Sequence, residues 1–250
     1  VSTRKAIEKI KPDIIFHFAA ESFVSPSWDN PHQYMNVNYI GTVNLLESIR
    51  DFNPNCFFHI PGSGEEYGEI NENEIPINTS TVLRPVNPYA VTKIAQDLIG
   101  YVYYKSYNLN VIRTRAFNHE GPRREKVFGI SWYAYQIAKI EKGLQEPLLK
   151  VGEIDDRRNF THVKDMVKAY WISIEKCKPG ELYLVGSERE EDIYTFRQAL
   201  EKLISMSTVK NIKYKTVPEF TRPTNVPRLI ADTSKFRDIT GWKPEIGFER

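Results

Sequence analysis

Along this chain, short apolar runs rich in β-formers alternate with segments whose apolar positions recur at helical spacing. Residues 2–11 carry the helical pattern and are stopped by Pro12. Asp13-Ile-Ile-Phe-His-Phe18 is near-continuously apolar, which predicts a strand buried on both faces. Residues 31–51 predict a helix, with Val37, Ile40, Val43, Leu45 and Leu46 among its apolar positions. Residues 55–61 predict a second buried strand, and the polar stretch 69–87 a loop.

The alternation continues to the end. A long helix is predicted over 88–107, with Ala90, Ile94, Leu98 and Val102 in register, and a third strand over 110–117. A helix over 131–143 and a short strand over 148–151 follow. Residues 163–176 read as a helix closed by Lys178-Pro-Gly180, and 181–185 as a fourth strand. The last elements are a helix over 195–204, a strand over 212–217 and a short helix over 233–240. Strands alternating with helices at this spacing imply an α/β fold built on a doubly wound parallel sheet. Ligands of such sheets bind outside the carboxyl ends of the strands, so functional residues should follow the strands.

Composition narrows the function classes. With 34 basic against 32 acidic residues there is no nucleic-acid-binding arm and no acidic tail. No apolar run approaches the ~18–20 residues of a membrane helix, and the first residues lack the apolar core of a signal peptide. Cys56 and Cys177 sit in apolar strings and read as buried hydrophobes in a reducing, cytoplasmic compartment. The histidines are scattered, so no metal is expected.

Three tyrosines have a lysine four residues on: Tyr89/Lys93, Tyr101/Lys105 and Tyr135/Lys139. On a helix such a pair shares one face, where an ammonium can lower the pKa of a phenol and make it a better acid/base. Tyr89 opens its helix directly after Asn87-Pro88, which lets its hydroxyl point into a crevice; Tyr101 lies in an aromatic run and Tyr135 in mid-helix. A second constellation, Pro61-Gly-Ser-Gly-Glu-Glu-Tyr-Gly68, follows the second strand. A phosphate-binding loop should open a helix, whereas an acidic loop follows here. The turn therefore reads as catalytic. Ser63 offers a hydroxyl beside Tyr89, and Glu65 or Glu66 a carboxylate for proton abstraction. A plain glycine turn with solvated glutamates is the alternative.

These segments together carry a resemblance. Phe16-His-Phe-Ala-Ala-Glu-Ser22, the Ser63 turn, Asn87-Pro-Tyr-Ala-Val-Thr-Lys93 and Asn118-His-Glu-Gly-Pro-Arg-Arg124 resemble the extended short-chain dehydrogenase/reductases that act on nucleotide sugars. The similarity runs on through Arg157-Arg-Asn-Phe-Thr-His-Val-Lys-Asp165, Arg222-Pro-Thr-Asn-Val-Pro227 and Gly241-Trp-Lys-Pro244. Within that superfamily the chain is most similar to the GDP-mannose 4,6-dehydratases and GDP-4-keto-6-deoxy-mannose reductases. The resemblance implies that Tyr89 is the acid/base at the sugar C4 hydroxyl, with Ser63 orienting the C4 oxygen. Lys93 would hold the nicotinamide ribose and lower the Tyr89 pKa. Glu65 aligns with the carboxylate that takes the C5 proton. Ala19 and Ala20 would line the cofactor, NADP with NAD possible. Asn118, Arg124, Arg158 and Arg222 would grip the nucleotide diphosphate, a role that suits the guanidinium fork.

The implied reaction is dehydration of GDP-mannose by internal hydride transfer. The alternatives are reduction of the 4-keto sugar, or a non-catalytic sugar-nucleotide-binding fragment. Ser63 stands where the dehydratases usually carry threonine, and Ser131-Trp132 where they usually carry an Arg-Lys pair. The implied organisation is a Rossmann-type dinucleotide domain, 1–117 with 159–187 returning to it, and a smaller nucleotide-sugar-binding part, 118–158 and 188–250. Relatives carry a Gly-rich strand–turn–helix some two βα units before the Ala19-Ala20 strand. A sheet lacking its first strands is therefore expected, as for a fragmentary reading frame whose open sheet edge favours association or instability. Relatives also pair the helices equivalent to 31–51 and 88–107, so a homodimer is expected.

Overall fold

The computed structural model describes residues 2–248, so Val1 lies outside it. Helix α1 (Ser2–Ile10) leads into strand β1 (Ile14–Phe16). The single helix expected over 31–51 is divided: α2 (Pro31–Tyr34) and α3 (Gly41–Phe52) flank a π-helical turn, Met35–Ile40. That wider turn carries buried Asn38, whose amide donates to the Glu21 carbonyl (3.1 Å) and Thr92 Oγ1 (2.9 Å) and accepts from the Glu21 N–H (2.8 Å). Strand β2 (Phe57–Ser63), helix α4 (Pro88–Tyr107) and strand β3 (Asn110–Ala116) follow. Next come β4 (His119–Glu120), α5 (Gly129–Glu141), β5 (Leu148–Val151), β6 (Arg157–Asn159) and β7 (Thr161–His162). The chain closes with α6 (Val163–Lys176), β8 (Leu182–Val185), β9 (Ile193–Thr195), α7 (Phe196–Met206), β10 (Lys213–Thr216), β11 (Arg228–Leu229) and α8 (Ser234–Thr240).

Strands β1, β2, β3 and β8 form one all-parallel sheet in that order, with Phe58 opposite Ile15 and Val111, and Ala116 opposite Val185. Alternate residues face opposite sides. Phe58, Ile60 and Val111 pack on Leu46 and Ile49 of α3 and Tyr103 of α4. Ile112, Ala116, Tyr183 and Val185 pack on Met166, Ala169 and Ile174 of α6 and Phe236 of α8. Helices thus cover both faces, as the doubly wound pattern requires.

Strand β1 departs from the expectation of full burial. Its three residues are only half-buried, because it ends the strand order and has one β-neighbour among the described residues. Phe18, just beyond it, is 55% exposed. A second, smaller assembly joins α5 and α7 over the parallel pair β5–β10, with Tyr133, Ile137, Leu149, Val151 and Leu200 inside. Strand β6 pairs with β9 antiparallel and β11 parallel. Tyr67, Phe117 and Leu184 pack on Val226, Leu229 and Ala231, so the C-terminal segment returns to the carboxyl ends of the main sheet. Cys56 and Cys177 are free and buried.

Candidate active site

The turn after β2 is built by its own side chains. Ser63 caps a 3-10 turn, Gly64–Tyr67: its hydroxyl accepts the Glu65 N–H (3.2 Å), and the Glu66 carboxylate accepts the Ser63 N–H (2.7 Å). A side chain at Gly62 would meet Glu66 Oε1 at 2.3 Å and the Thr114 carbonyl at 2.9 Å. Gly68 takes φ +60° against the Arg84 carbonyl. These glycines let the backbone pass closely; no helix opens behind them to receive a phosphate.

The start of α4 meets that turn. Asn87 caps the helix by accepting the Ala90 N–H (2.7 Å), Pro88 occupies its first turn, and the Asn87 amide donates to Glu65 Oε2 (3.1 Å). Tyr89 is 7% exposed, its ring edge-on to Tyr34 and its phenol within the electrostatic reach of Ser63. Burial raises its pKa well above 10, reinforced by Glu65 and Glu66 and opposed by Ser63 and Arg124.

Lys93 behaves differently from the expectation that it lowers the Tyr89 pKa. Its buried Nζ donates to the Pro61 carbonyl and Gln96 Oε1, both at 2.6 Å, and burial lowers its own pKa. One helical turn puts the lysine on the correct face, but the end of β2 takes its ammonium. The other two pairs face solvent. Tyr101 is 39% exposed under the Arg113 guanidinium, and Tyr135 is 40% exposed between Lys126 and Lys139.

The structure separates the two glutamates left open by the sequence. Glu66 is fully buried, taken up by the Ser63 N–H and by Arg115 at 2.7 Å. Glu65 is half-buried, held by Asn87, with Arg158 acting on it electrostatically. Arg158 itself is turned inward: it donates to the carbonyls of Arg157 (3.0 Å) and Val226 (2.7 Å) and pairs with Asp156 (3.4 Å). Arg222 is exposed and within electrostatic range of Arg158 and Asp156.

Arg124 lies over the Phe128 ring at 4.0 Å and donates to the His119 carbonyl. Asn118, half-buried, accepts the Thr161 N–H on its carbonyl (2.9 Å). Ala19 is exposed and Ala20 half-buried just past β1. Ser63, Glu65, Tyr89 and Arg124 therefore converge, Arg158 lies within electrostatic range of Glu65 with Arg222 beyond it, and Lys93 is buried on the same helix as Tyr89. Sequence reasoning missed the support: Asn87, and a buried ion network in which Arg115 bridges Glu66 and Asp97 (2.6 Å) while Arg113 pairs with Asp97 (2.9 Å). The charged residues interrupting the apolar strand Asn110–Ala116 were its visible signal.

Glu120 adds a pH dependence. Burial pushes its carboxyl up to about 7 against the pull of Arg124. A folded pKa above the unfolded one means stability that is present at acid pH and lost as pH rises through the folded value. Glu120→Gln removes that loss. Between about pH 5 and about pH 8 the melting temperature of the variant should therefore gain on that of the parent. A gap independent of pH would show that Glu120 ionises normally.

Comparison with known proteins gives the family. The GDP-mannose 4,6 dehydratase family model matches residues 1–250. The GDP-6-deoxy-D-mannose reductase of Pseudomonas aeruginosa is 32% identical over 235 residues, covering 94% of this chain and 76% of that protein. GDP-mannose 4,6 dehydratase 1 of Arabidopsis thaliana is 30% identical over 253 residues, covering 100% of this chain and 68% of that protein. Among solved structures, RMD from Pseudomonas aeruginosa complexed with NADPH superposes with a TM-score of 0.90 at 29% identity, over 98% of this chain and 82% of that one. A match over the full length, with the Rossmann-type sheet shared, places this chain in the GDP-mannose 4,6 dehydratase family.

Proposed function

We propose that the protein dehydrates GDP-mannose to the 4-keto-6-deoxy sugar nucleotide. The observation carrying this reading is the meeting of Ser63, Tyr89 and Glu65 where β2 ends and α4 begins. A redox step at a sugar hydroxyl needs only a hydroxyl donor and a phenol. The second proton transfer of a dehydration needs a carboxylate in the same crevice, and Glu65 supplies it.

The residues fit the nicotinamide end of a dinucleotide, NADP with NAD possible. Small Ala19 and Ala20 leave room beyond the carboxyl end of β1, and Lys93 stands one helical turn from Tyr89 with its ammonium at the end of β2. When bound, that group would accept the hydride from C4 and give it back at C6, so that the overall dehydration needs no outside oxidant. Ser63 holds the C4 oxygen by hydrogen bonding while Tyr89 takes the hydroxyl proton. Glu65 takes the proton on C5, acidified by the neighbouring ketone, and gives it to the C6 hydroxyl, which leaves as water; the proton held by Tyr89 balances the one restored at C5. Arg222, together with Arg124, Arg158 and Asn118, would hold the diphosphate. In this reading 1–117 with 159–187 bind the dinucleotide, and 118–158 with 188–250 bind the sugar nucleotide.

The exposed stripe Val91, Leu98, Tyr101 and Val102 on α4, beside Ile40, would carry a homodimer. Free, buried Cys56 and Cys177 fit a reducing cytoplasm. No helix of the described residues is long and apolar enough to cross a membrane.

The reductase reading is favoured by the identity to the Pseudomonas aeruginosa enzyme. Incubation with GDP-mannose and NADP⁺ separates the two. A 4-keto product supports the dehydratase. Turnover of only the keto sugar with NADPH supports the reductase. Retained GDP binding without either reaction overturns both in favour of a binding module.

A further inference from the structure

We propose that Glu66 is the positioning residue of this site: its one carboxylate fixes the backbone that presents Ser63 and Glu65, and it is one of the two carboxylates of the buried charge cluster around Lys93. The inference rests on the catalytic reading of Ser63 and Lys93 given above.

The carboxylate has two ends with two tasks. Oε1 accepts the Ser63 N–H at 2.7 Å, which sets the direction in which the 3-10 turn leaves β2. Oε2 pairs with Arg115 at 2.7 Å, and Arg115 passes the contact to Asp97. Glycine at position 62 makes room, since a Cβ there would sit 2.3 Å from Oε1. The side chain is fully buried, so its position is not shared with solvent.

The charges around Lys93 can be counted. From its own helix come Asp97 and the Gln96 amide oxygen, from β2 the Pro61 carbonyl and His59, from beyond β1 His17, and from the turn Glu66. Burial drives both histidines neutral, His17 to about 4 and His59 to about 3. Arg113 and Arg115 lie on Asp97. The five ionised groups are two carboxylates against three cations. Loss of Glu66 leaves one buried carboxylate against three cations, and Lys93, the most readily deprotonated of them, is the group that must give up its proton.

The test uses the full chain, Glu66→Gln and Glu66→Asp. Glutamine still accepts the Ser63 N–H but carries no charge; aspartate keeps the charge but is too short to reach that N–H. Lys93 ionisation is followed by NMR of its labelled Cε, assigned with Lys93→Met. Glu66→Gln should lower the Lys93 titration midpoint by about one pH unit or more. It should also cut kcat on GDP-mannose about tenfold or more with KM within about twofold, and shift the basic limb of the profile to lower pH. Glu66→Asp should keep the midpoint and lose kcat. A folded Glu66→Gln chain with the parent midpoint overturns the electrostatic half, and Glu66→Asp with the parent kcat overturns the positional half. If Glu66→Gln does not fold, the charge-retaining Glu66→Asp decides. A parent chain without turnover defeats the catalytic reading, while the Lys93 titration still decides on Glu66.

Discussion

Tyr89→Phe should lower turnover of the sugar nucleotide by about 10²–10⁴-fold, the range lost when a positioned acid/base is removed. The phenol is the group in reach of Ser63, and the ring is buried against Tyr34. Phenylalanine keeps the ring and its packing and removes one hydroxyl. The structural cost of removing one buried hydroxyl is about 1 kcal/mol, or about 2–4 °C in melting temperature for a chain of this size. Loss of activity with near-parent stability and retained GDP binding places the effect in the chemistry. Retained turnover would remove Tyr89 from the reaction. Tyr101→Phe and Tyr135→Phe, on the solvent-facing pairs, should leave turnover unchanged.

Arg115→Met carries the largest expected effect on stability. Arg115 is 3% exposed, its guanidinium with Glu66 at 2.7 Å, Asp97 at 2.6 Å and the Tyr67 ring at 5.0 Å. Methionine fills much of the stem volume but leaves Glu66 with no ion-pair partner and Asp97 with Arg113 alone. Breaking a buried pair by removing one member costs about 3–5 kcal/mol, which at about 2–4 °C per kcal/mol is a fall of about 6–20 °C. The deficit should grow with pH. Burial already raises the Glu66 pKa and Arg115 opposes that rise, so without the arginine the carboxyl prefers its proton still more strongly. A group with a raised folded pKa loses its stabilising contribution as pH rises through that value. Thermal unfolding at acid and alkaline pH reads both the size and the slope. A small fall, flat in pH, would show that the network carries little of the fold.

Much of this was legible in the chain because the patterns were long. The helices Pro88–Tyr107 and Val163–Lys176 and the strand Leu148–Val151 have the bounds read from their apolar spacing and from Pro88 and Lys178-Pro-Gly180. Strands of two or three residues, such as His119–Glu120 and Arg228–Leu229, were not legible, since a period of two needs more residues to register. Half-burial of β1 depends on what lies beside it in the sheet, which composition does not record. At the site, the Ser63 turn and Tyr89 stood out by residue type. The choice between Glu65 and Glu66 did not, because it depends on Arg115, distant in sequence. The direction of the Lys93 ammonium was hidden for the same reason. Helical spacing fixes a shared face, while the acceptors that claim the proton come from another element.

The π-turn has a mechanical corollary. Through the one amide of Asn38, the loop that leaves β1 and the first turns of α4 are bolted to the same point. A molecule that reshapes the loop around Glu21 must therefore drag the helix carrying Tyr89 with it, or break the two bonds of Asn38 to Glu21 or its one bond to Thr92. The two walls of the crevice respond to a ligand as a single jaw.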